Sequence, residues 1–507
     1  MSLSRRDFFK LSGATFAAAA VVQNDTTVQA ASEPANVTDT LQIASGATND
    51  PILRFLNRAG YGPRPGDYAR ASAMGLPAYL EEQLNPEQID DSVVDDVMQG
   101  MTVYNKAADQ LSSKNKATRS IATRELLRTT ILRATFSNRQ LYEAMVEFWS
   151  DHFNIALPSN GNLRVFKMLD DREVIRPNAL GKFRDLLFAS ANSPAMLVYL
   201  DNIRSRADQA DKKPNENYPR ELFELHTLDV TGGYTQQDVE EAARIFSGWG
   251  VARGNKSLLW KREFNTKWHD DGEKQVLGQT FPAGQGEEDV NQLLELLATH
   301  PNTARFIATK LVRRFVADQP PEALVTQVTQ TYQDTDGDIK EMLRVIFLSD
   351  EFANAPDKLK RPYTYTISAL RALDARLTNV NKLDKLNSIH LVAMGQGLFA
   401  WPAPNGYPDV SAAWNNNLLP RWNFALTWLA NKIKGIEMPL AELLAGINDV
   451  PSALDHLAGL LGQTLSDEQR IELTTYIGNK PFEHRRTQNR LKEAVGVLMA
   501  SPSFQWR

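Results

Sequence analysis

Hydrophobic residues recur every three or four positions along most of the chain from Asp50 onward, and period-two alternation is scarce. A period near 3.6 residues is the mark of amphipathic helices. Residues 253–290, rich in Gly, Trp and charge, are the one stretch whose pattern favours strand or hairpin. No Pro- or Ser-rich linker divides the chain. The pattern therefore predicts an all-α, predominantly helical fold: one large multi-helix domain over 49–507, with a small irregular or hairpin insertion around 253–290.

Local signals refine two of these helices. Ser137 and Gln140 have the spacing of a capping box, which predicts a helix start at Ser137. The segment 334–339 resembles the start of a calcium loop, but its glycine comes too early and position twelve is Val345. Asp338 is better interpreted as the N-cap of the helix after it.

The first thirty residues form a distinct segment. An arginine pair, Arg5-Arg6, precedes a mild apolar run that extends through Val22 and a small-residue site at 28–31. This order is typical of a twin-arginine signal peptide. It predicts a signal over 1–30, a flexible leader over 31–48, a periplasmic or secreted location, and the twin-arginine export machinery as a partner. The alternative is an amphipathic N-terminal helix of a cytosolic protein.

Composition narrows the chemistry. The 507 residues include no cysteine, which excludes disulfides, thiolate nucleophiles and iron–sulfur clusters. The formal net charge is -5 and no basic stripe is present, so a nucleic-acid partner is not expected. No apolar run approaches the roughly 20 residues that a membrane helix needs, so no stable membrane span is expected.

Three of the seven histidines lie in dense polar and aromatic patches. The first patch, 147–154, places His152 at the end of a helical stripe formed with Leu141, Met145 and Phe148. Glu147 falls on another face of that helix. An inward-facing imidazole at a helix end is either a metal ligand, an acid–base group or a core residue with its hydrogen bonds satisfied.

The second patch, 215–226, contains Glu221, Glu224 and His226. On an ideal helix His226 lies well over a right angle from both glutamates, so this is not a one-face metal motif. The three could still serve one site if the helix is held between two walls or ends near His226. Alternatively, Arg220 and Glu224 form only a helix salt bridge.

The third patch, 267–272, places His269 beside Asp270 in a region whose pattern favours a loop. Functional side chains are common on such loops. The alternative is a simple turn with Asp271-Gly272 at its corner.

Together the patches suggest one metal site. His152, His226 and His269 would bind a divalent ion such as Zn, Mn or non-haem Fe, and Glu221, Glu224 or Asp270 would complete the shell or act as base. This hypothesis makes the chain a periplasmic metal-dependent enzyme.

A cluster of Trp, Pro, Tyr and Gly at 401–408, followed by Trp414 and Trp422, is too rich in Pro and Gly for a helix. It either lines a carbohydrate or peptide cleft or packs over the core through its own aromatic rings.

Several stretches of the chain are specific together, although none is specific singly; they include Arg-Glu-Leu-Phe-Glu-Leu-His-Thr-Leu at 220–228 and Gly-Gly-Tyr-Thr-Gln-Gln-Asp at 232–238. In these stretches the chain resembles a bacterial exported family known as domain of unknown function 1800. The chain departs at Asp229, where the family usually has glycine; Asp tolerates a left-handed helix end. The stretches that carry the resemblance are 53–64, 147–154, 193–202, 215–249, 269–278, 300–307 and 401–407.

The resemblance implies a predominantly helical exported protein. It also implies the company of a second exported protein, similar to the sulfatase/phosphatase-like family of unknown function 1501. It implies no reaction. A non-catalytic partner or assembly protein for such a co-exported protein is therefore the alternative to the metal-dependent enzyme.

Overall fold

A computed structural model describes residues 50–111, 115–157, 161–209, 211–252 and 261–507. The predicted signal and leader lie outside these residues. The described part forms 24 α-helices, with three short π-helices and three two-stranded antiparallel sheets. The prediction of a predominantly helical fold is confirmed. None of the described helices is both long enough and apolar enough to cross a membrane.

The first half of the described chain is helical up to Ile245. Two π-helices, Asp171–Ile175 and Leu222–Thr227, interrupt it. The helices are α1 Pro51–Arg58, α2 Asp67–Met74, α3 Leu76–Leu84, α4 Ser92–Gln99, α5 Lys116–Phe136, α6 Gln140–His152, α7 Leu163–Asp170, α8 Arg176–Asn178, α9 Phe183–Ala191, α10 Pro194–Tyr199, α11 Asn217–Glu221 and α12 Gln236–Ile245.

The predicted insertion contains strands. β1 (Trp249–Val251) pairs with β2 (Arg262–Phe264), and β3 (Lys274–Val276) forms a tight hairpin with β4 (Gln279–Phe281). In that hairpin Lys274 lies opposite Phe281. The hairpin predicted within 253–290 is therefore confirmed; residues 253–260 lie outside the described part.

Helices resume after the insertion, with a third π-helix at Leu386–Leu391 and a small sheet of β5 (Arg376–Leu377) with β6 (Ile436–Glu437). The helices are α13 Glu288–Thr299, α14 Pro301–Phe315, α15 Glu322–Asp334, α16 Ile339–Phe347, α17 Asp350–Ala353, α18 Pro362–Ala372, α19 Leu418–Leu429, α20 Leu440–Leu443, α21 Val450–Leu460, α22 Asp467–Ile477, α23 Arg485–Ala500 and α24 Pro502–Gln505.

Helix caps show where short-range signals succeed and fail. Asp338 caps α16 by accepting a 3.2 Å hydrogen bond from the Glu341 amide, as predicted. The capping box predicted at Ser137 was wrong, because α6 begins at Gln140 and its N-cap is Arg139. The Ser137 hydroxyl instead donates to Asp91 over 2.7 Å, and the Gln140 amide donates to the Ser137 carbonyl over 2.9 Å.

The two ends of the described chain meet. The backbones of Lys358 and Arg507 exchange two hydrogen bonds of 2.9 Å, and Leu359 forms a β-bridge with Trp506. The Arg507 guanidinium also donates to the carbonyl of Asn57 in α1 over 3.0 Å. Buried Arg58, in the same helix, donates to the carbonyl of Val316, just after α14, over 3.0 Å. These contacts fix α14 and the segment before α18, which carry much of the candidate site.

Candidate functional site

The site begins at the last residue of α6. Leu141, Met145, Phe148 and His152 are all buried on one stripe of this helix, as their spacing predicts, and His152 is 1% exposed. The imidazole lies among aromatic rings, with the ring of Phe153 centred 4.5 Å away. An imidazole so deeply buried must find its hydrogen-bond partners within the protein.

Both ring nitrogens of His152 have a partner. Nε2 lies 3.1 Å from the carbonyl oxygen of His226, and Nδ1 lies 2.9 Å from Nζ of Lys310. Because a carbonyl can only accept, Nε2 carries the hydrogen and Nδ1 accepts from Lys310. Burial, together with the charge of Lys310, lowers the pKa of His152 well below its ordinary value. His152 is therefore a neutral imidazole whose Nδ1 lone pair accepts from the Lys310 amine.

His226 reaches this point because α11 continues into the π-helix Leu222–Thr227. The last carbonyls of a helix lack partners within it, and His152 satisfies that of His226. The His226 ring is also buried, with its centre 6.1 Å from that of His152 and 5.0 Å from that of Phe153. Its Nε2 has no hydrogen-bond partner among the described residues. Burial lowers the pKa of His226 to about 3.

Lys310 belongs to α14 and lies over the ring of Phe306, with Nζ 5.2 Å from the ring centre. Burial lowers the pKa of Lys310 to about 8, although nearby Asp151 acts in the opposite direction. At neutral pH a far larger fraction of this lysine is therefore the neutral amine than is the case for a solvent-exposed lysine.

A cluster of buried charges lies beside His152 and Lys310. Arg361 donates to Asp151 over 2.9 Å and also bonds Glu147. Arg314 donates to the second oxygen of Glu147 over 2.7 Å. Burial raises the pKa of Glu147, but the Arg361 and Arg314 guanidiniums outweigh it and hold that pKa below its ordinary value. Burial raises the pKa of Asp151, with Arg361 opposing it.

A cavity of about 150 Å³, here called the His152 cavity, adjoins His152, Lys310 and this cluster. Its polar lining comprises Asp151, His152, Lys310, Arg313, Arg314, Arg361, Asn405, Tyr407 and Asp409.

One wall of the cavity is the loop that the sequence singled out at 401–408. The Asn154 amide donates to the carbonyls of Trp401 (3.1 Å) and Ala403 (2.6 Å) and so fixes the loop to the end of α6. Gly406 passes so close that a Cβ atom would lie 2.0 Å from the Asp151 carbonyl oxygen. The Tyr407 hydroxyl donates to the Gly397 carbonyl over 2.7 Å. The loop thus packs on the protein and shapes the cavity.

Glu221 and Glu224 lie on α11 and the π-helix after it, and both are half-buried. Burial and the neighbouring charge of Glu224 raise the pKa of Glu221. Neither glutamate is among the residues that line the His152 cavity. Asp229, after the π-helix, has a φ of 73°, so its predicted left-handed conformation is confirmed.

His269 and Asp270 belong to a separate network. His269 Nδ1 lies 2.9 Å from the Ser247 carbonyl, and its Nε2 lies 3.6 Å from Asp289, which forms a buried ion pair with Lys274. Asp270 accepts from two nitrogens of Arg244, over 2.8 and 3.0 Å. Arg244 holds the pKa of Asp270 below its ordinary value. These contacts anchor the start of β3 to α12.

The structure thus brings His152 and His226 together and places His269 elsewhere. Within the described ranges, no group of three or more His, Asp or Glu side chains is arranged to hold a metal ion. The lone pair on Nδ1 of His152 already faces the Lys310 amine. In this geometry the three imidazoles do not form one ligand set.

Sequence reasoning missed Lys310, Arg314, Arg361 and Asp409. One signal was available: Ile307, Leu311 and Arg314 follow four and three residues apart, which places Arg314 on the buried stripe of α14. A charged residue at a core position of an amphipathic helix requires buried partners. No comparable pattern marks Arg361 or Asp409.

Comparison with known proteins gives one result. A family model described as "Protein of unknown function (DUF1800)" matches residues 54–506, nearly all of the described chain. The chain belongs to the DUF1800 family. The predicted resemblance is confirmed. No curated protein and no solved structure matches this DUF1800 chain.

Proposed function

We propose that this DUF1800 protein is an enzyme that uses general acid–base catalysis in the His152 cavity. The observation that carries the proposal is the 2.9 Å hydrogen bond between Lys310 Nζ and His152 Nδ1 at the cavity wall. Groups whose pKa values are moved by burial and by a specific charged neighbour concentrate at catalytic sites. Lys310 and Asp151 both fit this description and both line the cavity.

Each group has a distinct role in this proposal. Lys310, with a pKa of about 8, removes a proton from a bound substrate or returns one. Neutral His152 orients the Lys310 amine, and the His226 carbonyl holds His152 in the required tautomer. Asp151, whose carboxyl is held by Arg361, supplies a second exchangeable proton in the same cavity.

A comparison of metabolites tests the proposal. Natively exported protein is incubated with a small-molecule extract of the compartment it occupies, and compounds are followed by mass spectrometry. We expect at least one compound to be consumed by the unmodified protein and to persist with Lys310→Arg, because arginine keeps the charge but does not release a proton near neutral pH. Lys182→Arg, at an exposed ion pair with Asp336, is the matched control and retains consumption. No compound consumed, or equal consumption by Lys310→Arg, overturns the proposal.

A metal-dependent form of this enzyme is a separate proposal, because the roles of Lys310, His152 and Asp151 need no metal. It needs His152 to exchange its contact with Lys310 for an ion. Elemental analysis of protein purified after native export tests it directly. Stoichiometric Zn, Mn or Fe that is lost in His152→Ala favours the metal-dependent form; no stoichiometric metal contradicts it.

The location of this activity is part of the proposal. The Arg5-Arg6 signal supports twin-arginine export to the periplasm or beyond. We expect Arg5→Lys together with Arg6→Lys to leave the protein in the cytoplasm, as seen by fractionation. Unchanged export contradicts this part.

A second candidate function, that of partner to a co-exported protein, is favoured by an apolar surface. Leu418 and Leu419 of α19 are 41% and 70% exposed, and Ile389 and Val392 are 58% and 53% exposed. The two segments are neighbours, since the rings of His390 and Phe424 are centred 5.6 Å apart. Large exposed apolar patches often mark protein contacts.

Co-purification tests this second function. A protein of the sulfatase/phosphatase-like type should co-purify with the native chain and be lost in Leu419→Asp, while Lys310→Arg retains it. If no such protein co-purifies, or if it still binds Leu419→Asp, a partner role through this surface is contradicted.

A further inference from the structure

Arg314 has donors that nothing in the described protein uses. Arg314 is 1% exposed, and its Nη2 donates a hydrogen bond to Glu147. Nε and Nη1 have no hydrogen-bond acceptor among the described residues. Nη1 lies 3.9 Å from Asp409 Oδ2, close enough for charge attraction but too far for a hydrogen bond. Unsatisfied buried donors are costly, and those of a charged group especially so.

The surroundings of these donors are rich in positive charge. Four basic residues line the His152 cavity: Lys310, Arg313, Arg314 and Arg361. Only two acidic residues line it, Asp151 and Asp409, and Asp151 is bound to Arg361. Asp409 is shared, because it also lies 3.8 Å from Lys358.

The His152 cavity is lined by both accessible and buried basic residues. Lys310 and Arg313 are partly exposed, whereas Arg314 is buried. The cavity has a volume of about 150 Å³. Pockets that enclose a drug-sized ligand are larger, at roughly 300–1,000 Å³. The His152 cavity therefore suits a small ligand or one terminal group of a larger one.

We propose that the Arg314 side of the His152 cavity is an oxyanion-binding site, in which Arg314, with Arg313 and Lys310, holds a carboxylate, phosphate or sulfate group of the substrate. The open Nε and Nη1 donors of Arg314 lie on opposite edges of its guanidinium, so an oxygen of such a group accepts from one of them. Charge-assisted hydrogen bonds of this kind are strong, and a lysine adds a point charge. The inference rests on the proposed function and adds the substrate class to it. The bound oxyanion accepts from a donor left open on Arg314 and places the rest of the substrate against Lys310.

Titration calorimetry with simple anions tests the site. Sodium acetate, inorganic phosphate and sulfate are titrated into the full exported protein at constant ionic strength, with chloride as the background anion. We expect one anion to bind per chain, and binding at least tenfold weaker in Arg314→Gln and in Arg313→Gln. Arg313 is partly exposed, so Arg313→Gln keeps the test valid if Arg314→Gln does not fold. Arg376→Gln, at an exposed pair with Glu442, is the control and binds as the unmodified protein does.

The probes also distinguish the source of the oxyanion. Preference for acetate assigns a carboxylate substrate, and preference for phosphate or sulfate assigns a tetrahedral ester or anhydride. No saturable binding, or binding that neither arginine variant weakens, overturns the site. Failure of the anion site can be told apart from failure of the proposed function. If only the anion site is wrong, no anion binds, but Lys310→Arg still blocks consumption of a compound that lacks an oxyanion.

Discussion

The buried imidazole of His226 makes folding sensitive to acid. Its pKa of about 3 in the folded protein lies well below the ordinary value of about 6.5 that applies after unfolding. Between these values the unfolded chain binds a proton that the folded chain does not. The free energy of unfolding therefore falls as the pH falls from 6.5 towards 3, by up to about 1.4 kcal/mol per pH unit for each such group.

This sensitivity can be measured at His226. Phenylalanine has a similar ring and lacks the unpartnered Nε2, while the backbone carbonyl that holds His152 remains. We expect the unfolding free energy of His226→Phe to change with pH less steeply than that of the unmodified protein, by about 1 kcal/mol per pH unit between pH 6 and 4. Urea unfolding at several pH values measures this. His456→Gln, at an exposed histidine, should retain the original slope; a His226→Phe slope equal to it would contradict the assignment.

Arg361 is a buried cation whose removal should lower the free energy of unfolding, because two carboxylates depend on it. It is 3% exposed and bridges Glu147 and Asp151. Removing one partner of a buried ion pair leaves the other charges uncompensated. We expect Arg361→Met to lower the unfolding free energy by about 3–5 kcal/mol.

A surface pair provides the comparison for Arg361. Arg376 and Glu442 are 47% and 59% exposed at their side chains, so Arg376→Met should cost less than about 1 kcal/mol. Chemical denaturation of both variants measures the difference. Similar losses in the two would show that Glu147, Asp151 and Arg361 do not act as a buried network.

At the scale of an element, the 401–408 loop depends on one glycine. Gly406 has a φ of 69° and lies against the Asp151 backbone, whereas Gly446 has a φ of 81° and open space around it. Alanine at either position meets the left-handed backbone penalty of roughly 1–2 kcal/mol. Only at position 406 does the added methyl group also collide with a carbonyl.

We expect Gly406→Ala to be less stable than Gly446→Ala by about 1–3 kcal/mol, the range of overpacking penalties. Urea unfolding of the two variants measures this difference. Anion titration of Gly406→Ala should also show weaker binding, because the loop forms a wall of the His152 cavity. Equal stability of the two variants would mean that the 401–408 loop can move away from α6 without lowering the free energy of unfolding.

Elements were predictable where short-range periodicity decides them. The stripe of Leu141, Met145, Phe148 and His152 identified α6 and its inward histidine. The hairpin of β3 and β4 followed from the change in pattern over 253–290. The start of α6 was not predictable, because the Ser137 hydroxyl is taken by Asp91, 46 residues earlier in the chain. Competition of that kind depends on the fold as a whole.

Across the whole molecule, the partners of the buried charges could not be deduced in advance. Glu147 lies on a different face of its helix from His152, yet Arg314 and Arg361 reach it from 167 and 214 residues away. Buried ion pairs carry no spacing rule along the sequence. The three-histidine hypothesis failed to anticipate this arrangement because it used proximity within patches, and the fold placed the His269 patch against Ser247 and Asp289.

The meeting of the chain ends predicts long-range coupling. Removal of Trp506 and Arg507 deletes the paired backbone contacts with Lys358 and the bond to Asn57. We expect amide hydrogens of α1 to exchange at least tenfold faster in the shortened chain, because local opening of α1 no longer breaks these bonds. Hydrogen-exchange mass spectrometry measures this, with the β3–β4 hairpin as internal reference. Unchanged exchange in α1 would contradict the coupling.

The π-helix Leu222–Thr227 has a consequence for how this region tolerates change in length. A π-turn holds about one residue more than an α-turn, so it accommodates a single extra residue within the helix. Deleting one residue there would let the segment wind as an ordinary α-helix of about 3.6 residues per turn, which brings the next positions back to nearly the same direction. In a regular helix the same deletion would rotate every later position by about 100°. The loss of one residue in this turn should therefore displace the His226 carbonyl, which contacts His152, less than the same loss in a regular helix would.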